Sequence, residues 1–383
     1  MELFVEIGKV QLNKDGEELC GDNISITRHN GSIMIVTADG LGSGVKANIL
    51  STLTVKMAAT MLEKGAKIED VIETMANTLP VCKVRQLAYS TLSILRIARD
   101  GGAYLVEYDN PPAFIGHGSQ PVGLTRMKRS IGDKTVREAF FCLRTGDWIV
   151  LVSDGVLNAG IGGIWNLGWG WERVNNYLLW LMATDVGAQE AAEELARVTN
   201  KLYDGRPGDD ASIVVIKTRP PRYLTLLVGP PQDPAQDEHV VEQLMSSPGK
   251  KVVCGGTTGN MVGRVLNREV VVDLSSMTKR IPPIATIDGI DLVTEGVLTL
   301  LGVVDRLRAD QTTEELEGLF DGASRLAYLL LEADYIHFII GRAINPAHQR
   351  EDLPSNLALK QKIVEEIMEH LTAKGKGVTV DYY

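Results

Sequence analysis

Ser32-Ile33-Met34-Ile35-Val36-Thr37-Ala38-Asp39-Gly40-Leu41-Gly42-Ser43-Gly44 is the stretch that frames the first half of the chain. Ser32 to Thr37 has strand character, an aspartate follows, a glycine-rich tail comes next, and a helical pattern starts at Ala47. The same arrangement recurs. The strand-like run Trp148–Val152 leads into Ser153-Asp154-Gly155. Gly208-Asp209-Asp210-Ala211-Ser212 leads into the strand-like run Ser212–Lys217, and Cys20-Gly21-Asp22-Asn23 stands near the start. Three of these motifs place aspartates at strand ends, where a rigid sheet can hold them. Hard divalent cations take oxygen ligands, and clustered carboxylates supply both ligand and charge. Glycine beside an aspartate lets a backbone carbonyl turn toward a metal. Two metals about 3.5–4 Å apart stabilise in-line displacement at phosphorus. A single Asp-Gly is ordinarily only a turn. Four acidic motifs in this order are a pattern.

After the glycine-rich tail, Ala47 to Lys64 reads as a helix with Ile49, Leu50, Leu53, Met57, Met61 and Leu62 on its core face. Ile68 to Leu79 reads as a second helix. Strand-like runs follow at Ser90–Ile97, Tyr104–Tyr108 and Ala139–Leu143, and Gln189–Tyr203 is a helix. Strands crowd both ends with helices inserted between them, which is not β-α-β alternation. The fold class expected is α+β, antiparallel sheets covered by helices. At Thr218-Arg219-Pro220-Pro221-Arg222 two prolines separate two apolar runs, and proline cannot sit in a central strand. The boundary is therefore placed there, with domains 1–219 and 223–383. The second part alternates more regularly: strands at Leu224–Val228, Lys251–Cys254 and Tyr335–Ile340, a helix at His239–Ser246, and further segments at Val270–Leu274, Ile290–Leu301, Thr313–Leu331, Leu357–Ala373 and Val378–Tyr382. A smaller α/β domain is expected.

Composition narrows the classes. The chain has 383 residues, 39 Lys+Arg and 49 Asp+Glu, a net charge of −10. Residues 1–219 hold 23 basic and 26 acidic residues, and the remainder 16 and 23. No basic stripe offers a nucleic-acid partner, and no apolar run offers a membrane span. The start, Met1-Glu2-Leu3-Phe4-Val5-Glu6, lacks the basic and apolar regions of a signal peptide, so a cytoplasmic location is expected. Cys20, Cys82, Cys142 and Cys254 form no CxxC, which fits a reducing compartment and no zinc site.

The order GD-N, ADG-x-G-x-G before a helix, SDG, and GDD-x-S before a valine-rich strand resembles the PPM family of metal-dependent, type-2C serine/threonine phosphatases. Within it, the pattern is most similar to the bacterial branch typified by stage II sporulation protein E. The resemblance spans roughly residues 1–219. It implies an αββα sandwich, two antiparallel sheets flanked by helices, with two Mn²⁺ or Mg²⁺ ions between the sheets. By resemblance, Asp39 bridges both metals, with the Gly40 carbonyl and Asp22 on one, and Asp154 and Asp209 on the other. Asp210 stands where the family has Asn or Asp, and takes the ligand role if the register moves by one. The implied activity is that of a phosphoserine/phosphothreonine protein phosphatase, a phosphoric monoester hydrolase using a metal-bridging hydroxide for in-line attack. The implied partner is a phosphoprotein, in this branch often a STAS-type anti-anti-sigma protein. Leu41 stands where eukaryotic members carry a histidine proposed as general acid, and Ser43 where many bacterial members carry a histidine or similar residue. Lys14 is the first candidate for the basic residue that holds the phosphate, and Lys9 the second. Either lysine also reads as a solvated surface charge.

Two other stretches stay open between alternatives. Residues 161–180 hold four of the five tryptophans, and they read either as a binding flap beside the site or as a local aromatic core. Gly255-Gly256-Thr257-Thr258-Gly259-Asn260-Met261-Val262-Gly263-Arg264 reads either as a turn that holds an anion or nucleotide, with Arg264 nearby, or as a plain strand-to-helix turn. Tyr108 to Ala113 and Gly116-His117-Gly118 read as a hairpin, with His117 structural. Two functional alternatives accompany the phosphatase: a catalytically silent phosphatase-like sensor or scaffold, and a small-molecule phosphohydrolase.

Overall fold

Alternation inside two apolar runs explains the layers of the first unit. In the computed structural model, Ile213 and Val215 face one core while Val214 and Ile216 face another. Met34, Val36 and Ala38 likewise face away from Ile33 and Ile35. Each strand is buried on both sides, so each sheet must be covered twice. The structure describes residues 3–29, 31–78, 90–132, 134–162, 166–278, 281–343 and 356–383. Leu79, at the end of the expected second helix, and Trp165 lie outside the described residues.

The first unit, Met1–Pro220, runs β1 (Phe4–Leu12), β2 (Asp22–His29), β3 (Ser32–Asp39), α1 (Gly44–Glu63), α2 (Ile68–Thr78), β4 (Leu92–Ile97), β5 (Gly102–Tyr108), β6 (Phe114–His117), β7 (Gln120–Pro121), β8 (Met127–Ile131), β9 (Lys134–Cys142), β10 (Asp147–Val152), α3 (Asp154–Leu157), α4 (Trp171–Leu181), α5 (Ala188–Leu202) and β11 (Ala211–Arg219). One sheet has the order β1-β11-β10-β6-β7 and the other β2-β3-β4-β5-β9-β8, with every pairing antiparallel. Between them lies a core that includes Ile35, Leu95, Leu105, Ile149, Leu151 and Val214. Residues of α1 and α2 cover the six-stranded sheet, and residues of α4 and α5 cover the five-stranded one. This is the αββα sandwich.

Local readings needed correction. The core face of α1 is made of small residues, Gly44, Ala47, Ser51, Thr54, Ala58 and Ala59, together with Val55. Leu50, Met61 and Leu62 do pack on the core, but Ile49 and Leu53 are exposed. The reason is close approach: a Cβ on Gly21 would stand 2.9 Å from Ala47 Cβ, so the helix lies too near the sheet for large side chains. Residues 109–113 are not a hairpin. They cross from β5 in one sheet to β6 in the other. The buried carboxylate of Glu107 fixes that crossing, accepting from the Ala113 N–H at 2.7 Å and Arg126 Nε at 2.9 Å. A hairpin does join β6 to β7, and His117 at its tip bonds Asp147 at 2.7 Å.

The second unit, Pro221–Tyr383, runs β12 (Tyr223–Val228), α6 (Asp237–Ser246), β13 (Lys250–Cys254), α7 (Gly256–Leu266), β14 (Val271–Asp273), β15 (Ile284–Ile287), β16 (Ile290–Thr294), α8 (Val297–Arg308), α9 (Thr313–Leu316), α10 (Gly322–Glu332), β17 (Tyr335–Ile340), α11 (Asn356–Ala373) and β18 (Gly377–Tyr382). Its sheet has the order β14-β15-β16-β13-β12-β17-β18, parallel from β16 to β18. Residues of α6 and α7 pack on one face, and residues of α8, α10 and α11 on the other. The segment Ile290–Leu301 divides into β16 and the start of α8 around Glu295-Gly296. Thr313–Leu331 divides into α9 and α10, where Asp321 accepts from the Ala323 and Ser324 N–H groups and starts a new helix. No helix among the described residues is long and apolar enough to cross a membrane.

Candidate functional site

Strand pairing brings the first two motifs together. Asp22 opens β2 directly opposite Asp39 at the end of β3. The other two come from the second sheet: Asp154 follows β10, Asp209 and Asp210 precede β11, and β10 and β11 are neighbours. The Ser153 hydroxyl accepts from the Ser212 N–H at 2.9 Å and ties these two motifs together. Exposure grades across the set. Asp22 and Asp210 are buried, Asp39 and Asp209 half-buried, and Asp154 exposed.

The carboxylates act on one another. Burial pushes Asp39 up to about 9, and the charges of Asp22, Asp154 and Asp209 add to it. Burial pushes Asp22 up to about 6, opposed by the Ser153 and Ser212 hydroxyls and reinforced by Asp210 and Asp154. Neither hydroxyl completes a hydrogen bond to Asp22, so both of its carboxylate oxygens are buried without a partner, as is Asp210 Oδ2. Partial desolvation raises Asp154, and desolvation followed by Asp154 raises Asp209, against the opposing charge of Lys14. Four expected residues, Asp22, Asp39, Asp154 and Asp209, are thus gathered, with Asp210 beside Asp22. Among the described residues, no group of three or more His, Cys, Asp or Glu side chains is arranged to hold a metal ion as it stands. The donor chemistry nevertheless fits a hard divalent cation: every side-chain donor is a carboxylate oxygen, and three buried ones, both of Asp22 and one of Asp210, lack any hydrogen-bond donor.

Gly40 and Gly155 serve packing. Neither has a positive φ. A Cβ on Gly40 would fall on the Ala47 carbonyl, and one on Gly155 on the Asp210 carbonyl. Lys14 reaches the cluster through its backbone, whose N–H donates to Asp210 Oδ1 at 3.0 Å, and its charge is felt at Asp209. Lys9 is exposed on β1, and its N–H donates to Gln189 at 3.0 Å. Leu41 is half-exposed, and the Ser43 hydroxyl donates to Glu17 Oε1 at 2.9 Å.

Sequence reasoning missed three contributors. Glu17 fixes the glycine-rich loop through Ser43. Tyr203 donates its hydroxyl to the Gly155 carbonyl at 2.7 Å, which fixes the turn behind Asp154. The third is the link between Ser153 and Ser212, which were inside the quoted motifs; a serine next to Asp154 and another two residues after Asp210 were the available signal. In the tryptophan-rich stretch, Trp169 is buried in the core, and Trp171 stacks on Phe114 at 4.8 Å and donates to the Pro112 carbonyl at 2.8 Å. Trp180 is exposed beside Tyr177. Arg264 lies in the last turn of α7, paired with Asp237 on α6, and so stands away from the Gly255 turn.

Two antiparallel sheets between helical layers, with aspartates gathered where strands of both sheets end, define a PPM, or type-2C, phosphatase fold. The chain is related to stage II sporulation protein E: residues 29–219 match the family model of that protein (SpoIIE). Stage II sporulation protein E of Bacillus subtilis (strain 168) is 25% identical over 223 residues, 56% of this chain and 26% of that protein. The protein of the same name from Priestia megaterium is 23% identical over 227 residues, 56% of this chain and 36% of that one. The chain thus matches well under two thirds of either relative. Among solved structures, the phosphatase domain of SpoIIE from Bacillus subtilis, in a crystal form without domain swapping, is 23% identical, with 57% of this chain and 93% of that chain covered and a TM-score of 0.43. The SiaA-PP2C domain of Pseudomonas aeruginosa is 19% identical, with 55% and 85% covered and a TM-score of 0.45.

Proposed function

We propose that the first unit is a metal-dependent phosphoserine/phosphothreonine protein phosphatase. The observation that carries this is the gathering of Asp22, Asp39, Asp154 and Asp209 from both sheets, with buried carboxylate oxygens that no hydrogen bond satisfies. Asp39, Asp22 and the Gly40 carbonyl would hold one Mn²⁺ or Mg²⁺ ion, and Asp39, Asp154 and Asp209 a second. When bound, two such ions supply Lewis-acid charge and an activated water for attack at phosphorus. The protein's own part is positional. β2 and β3 hold Asp22 and Asp39 in register, and the Ser153–Ser212 link and Tyr203 hold the turn that carries Asp154. Lys14, whose charge already acts on Asp209, orients the phosphate. Leu41 donates no proton, so protonation of the leaving group falls to water or to another group.

The substrate under this reading is a phosphoprotein, with a STAS-type anti-anti-sigma protein as the candidate that the bacterial branch of the family favours. The test is turnover of a phosphoserine peptide and of p-nitrophenyl phosphate with Mn²⁺ or Mg²⁺. Wild type should be active and Asp39→Asn inactive. A wild-type protein that turns over neither substrate with either ion refutes the reading.

A further inference from the structure

The parallel strands of the second unit stand in the order β16-β13-β12-β17-β18. Ranked by their place in the chain, that order is third, second, first, fourth, fifth. The chain builds outward from β12 on one side, then returns to lay β17 against its other side. In an open α/β sheet such a reversal marks the edge where ligands bind, outside the carboxyl ends of the strands.

That edge has a glycine floor. Gly229 follows β12, Gly255 and Gly256 follow β13, and Gly341 follows β17. What stands over the floor is polar. A Cβ on Gly229 would collide with Lys360 Nζ. One on Gly255 would lie 2.7 Å from Thr258 Oγ1, and one on Gly256 2.9 Å from Glu295 Oε1. Lys360 Nζ donates to the Gly341 carbonyl at 2.7 Å and has no carboxylate partner among the described residues. Glu295 has no cationic partner among them either. The Cys254 thiol, buried at the end of β13, lies within electrostatic reach of both. A cation and a carboxylate therefore flank one strand end without pairing. Burial lowers the pKa of Lys360, and a half-buried ammonium with no counter-charge costs free energy. Convergent polar groups over a glycine floor are the makings of a small-molecule site.

We propose that this edge binds a small molecule bearing a phosphate and free hydroxyls, with Lys360 on the phosphate and Glu295 on the hydroxyls. Lys360 has donors to spare after Gly341, and a carboxylate accepts from vicinal hydroxyls. All the residues named belong to the second unit, and Arg264, which Asp237 occupies, is not among them.

The test is calorimetric titration of the full chain in EDTA, which keeps divalent ions from retaining phosphate at the aspartates. The probes are ribose 5-phosphate, inorganic phosphate and ribose. Ribose 5-phosphate should bind tightest of the three. Lys360→Met should weaken ribose 5-phosphate and phosphate by about tenfold or more. Glu295→Gln should weaken ribose 5-phosphate by a similar factor and leave phosphate unchanged. No heat with ribose 5-phosphate up to about 10 mM, or equal affinity in Lys360→Met, overturns the proposal. Should Lys360→Met fail to fold, Glu295→Gln decides alone, because it alters an exposed side chain; unchanged ribose 5-phosphate affinity in that variant also overturns it.

Discussion

Gly155→Ala isolates the geometry that joins two of the acidic motifs. Gly155 is the second residue of α3, and its backbone conformation is open to alanine. Space is the obstacle. The new Cβ would fall on the Asp210 carbonyl oxygen, 2.9 Å from the carbonyl carbon and 3.2 Å from Ala211 Cβ, where ordinary contact begins at 3.4 Å. Neither partner yields easily, since Val156 and Ala211 are both fully buried. The turn and β11 must part by about an ångström. Overpacking of that kind costs about 1–3 kcal/mol, and an ångström of misplacement at reacting groups costs about 10²-fold in rate. Gly123→Ala is the control, because nothing lies within 4 Å of the added Cβ. Denaturant unfolding reads the stability, and hydrolysis of p-nitrophenyl phosphate at saturating Mn²⁺ reads the site. Gly155→Ala should lose both, and Gly123→Ala neither. Stability and turnover in Gly155→Ala equal to those of Gly123→Ala would falsify the packing argument. Lost stability with full turnover would leave the packing intact and show that the Asp154 turn does not set the chemistry.

Asp39→Ala should remove Mn²⁺ binding at both positions, because Asp39 is assigned to both; calorimetry showing two intact sites contradicts that assignment. Substituting any one of the six histidines should leave kcat within about tenfold, short of the 10²–10⁴ of a lost general acid, and a larger loss with unchanged metal content identifies a donor that the Leu41 argument excludes. Arg197 first, then Tyr177, holds Glu194 down to about 2 from 4.5. A folded-state pKa below the unfolded one stabilises above about 4.5 and fades as pH falls toward 2. Glu194→Gln should therefore destabilise the fold at neutral pH by less than about 1 kcal/mol, because its partner Arg197 is exposed to solvent, and the difference should close below pH 2; a gap that persists there rules out the ion pair as its source. A chain ended at Pro220 should fold and keep Mn²⁺-dependent hydrolysis of an aryl phosphate, and insoluble expression of that shorter chain argues that the first unit needs the second.

The layered fold was legible because its strands are apolar on both faces. Runs such as Ser212–Lys217 and Trp148–Val152 announce themselves by composition, and they are the central strands β11 and β10. The edge and half-buried strands did not. β1 and β2 alternate weakly, with exposed Lys9, Gln11 and His29 among them. Their pairing partners lie far along the chain or across a short turn, and register, not composition, recruits them. The face of α1 was misread for a different reason. Hydrophobic periodicity selects large side chains, whereas a helix pressed against Gly21 and Gly40 is selected for small ones.

The aspartates were legible as a group for the reason that makes them costly. An Asp beside Gly at the end of an apolar strand has no packing role that leucine or serine would not fill better, so four such motifs ask for a shared purpose. What the sequence could not display was how the group is held. Glu17, Tyr203 and the Ser153–Ser212 link act through single hydrogen bonds between segments far apart in the chain, and no spacing rule anticipates such contacts. The same gap opened in the second unit. There one of two readings set Arg264 near an anion held at the glycine turn, because it is near the glycines in sequence, but α7 carries it to the far end of the helix and pairs it with Asp237. The cation that does stand over the glycines, Lys360, is about a hundred residues downstream and is delivered by strand order. In parallel sheets the crossovers decide which side chains meet, so a site at such an edge is written in topology before it is written in any local motif.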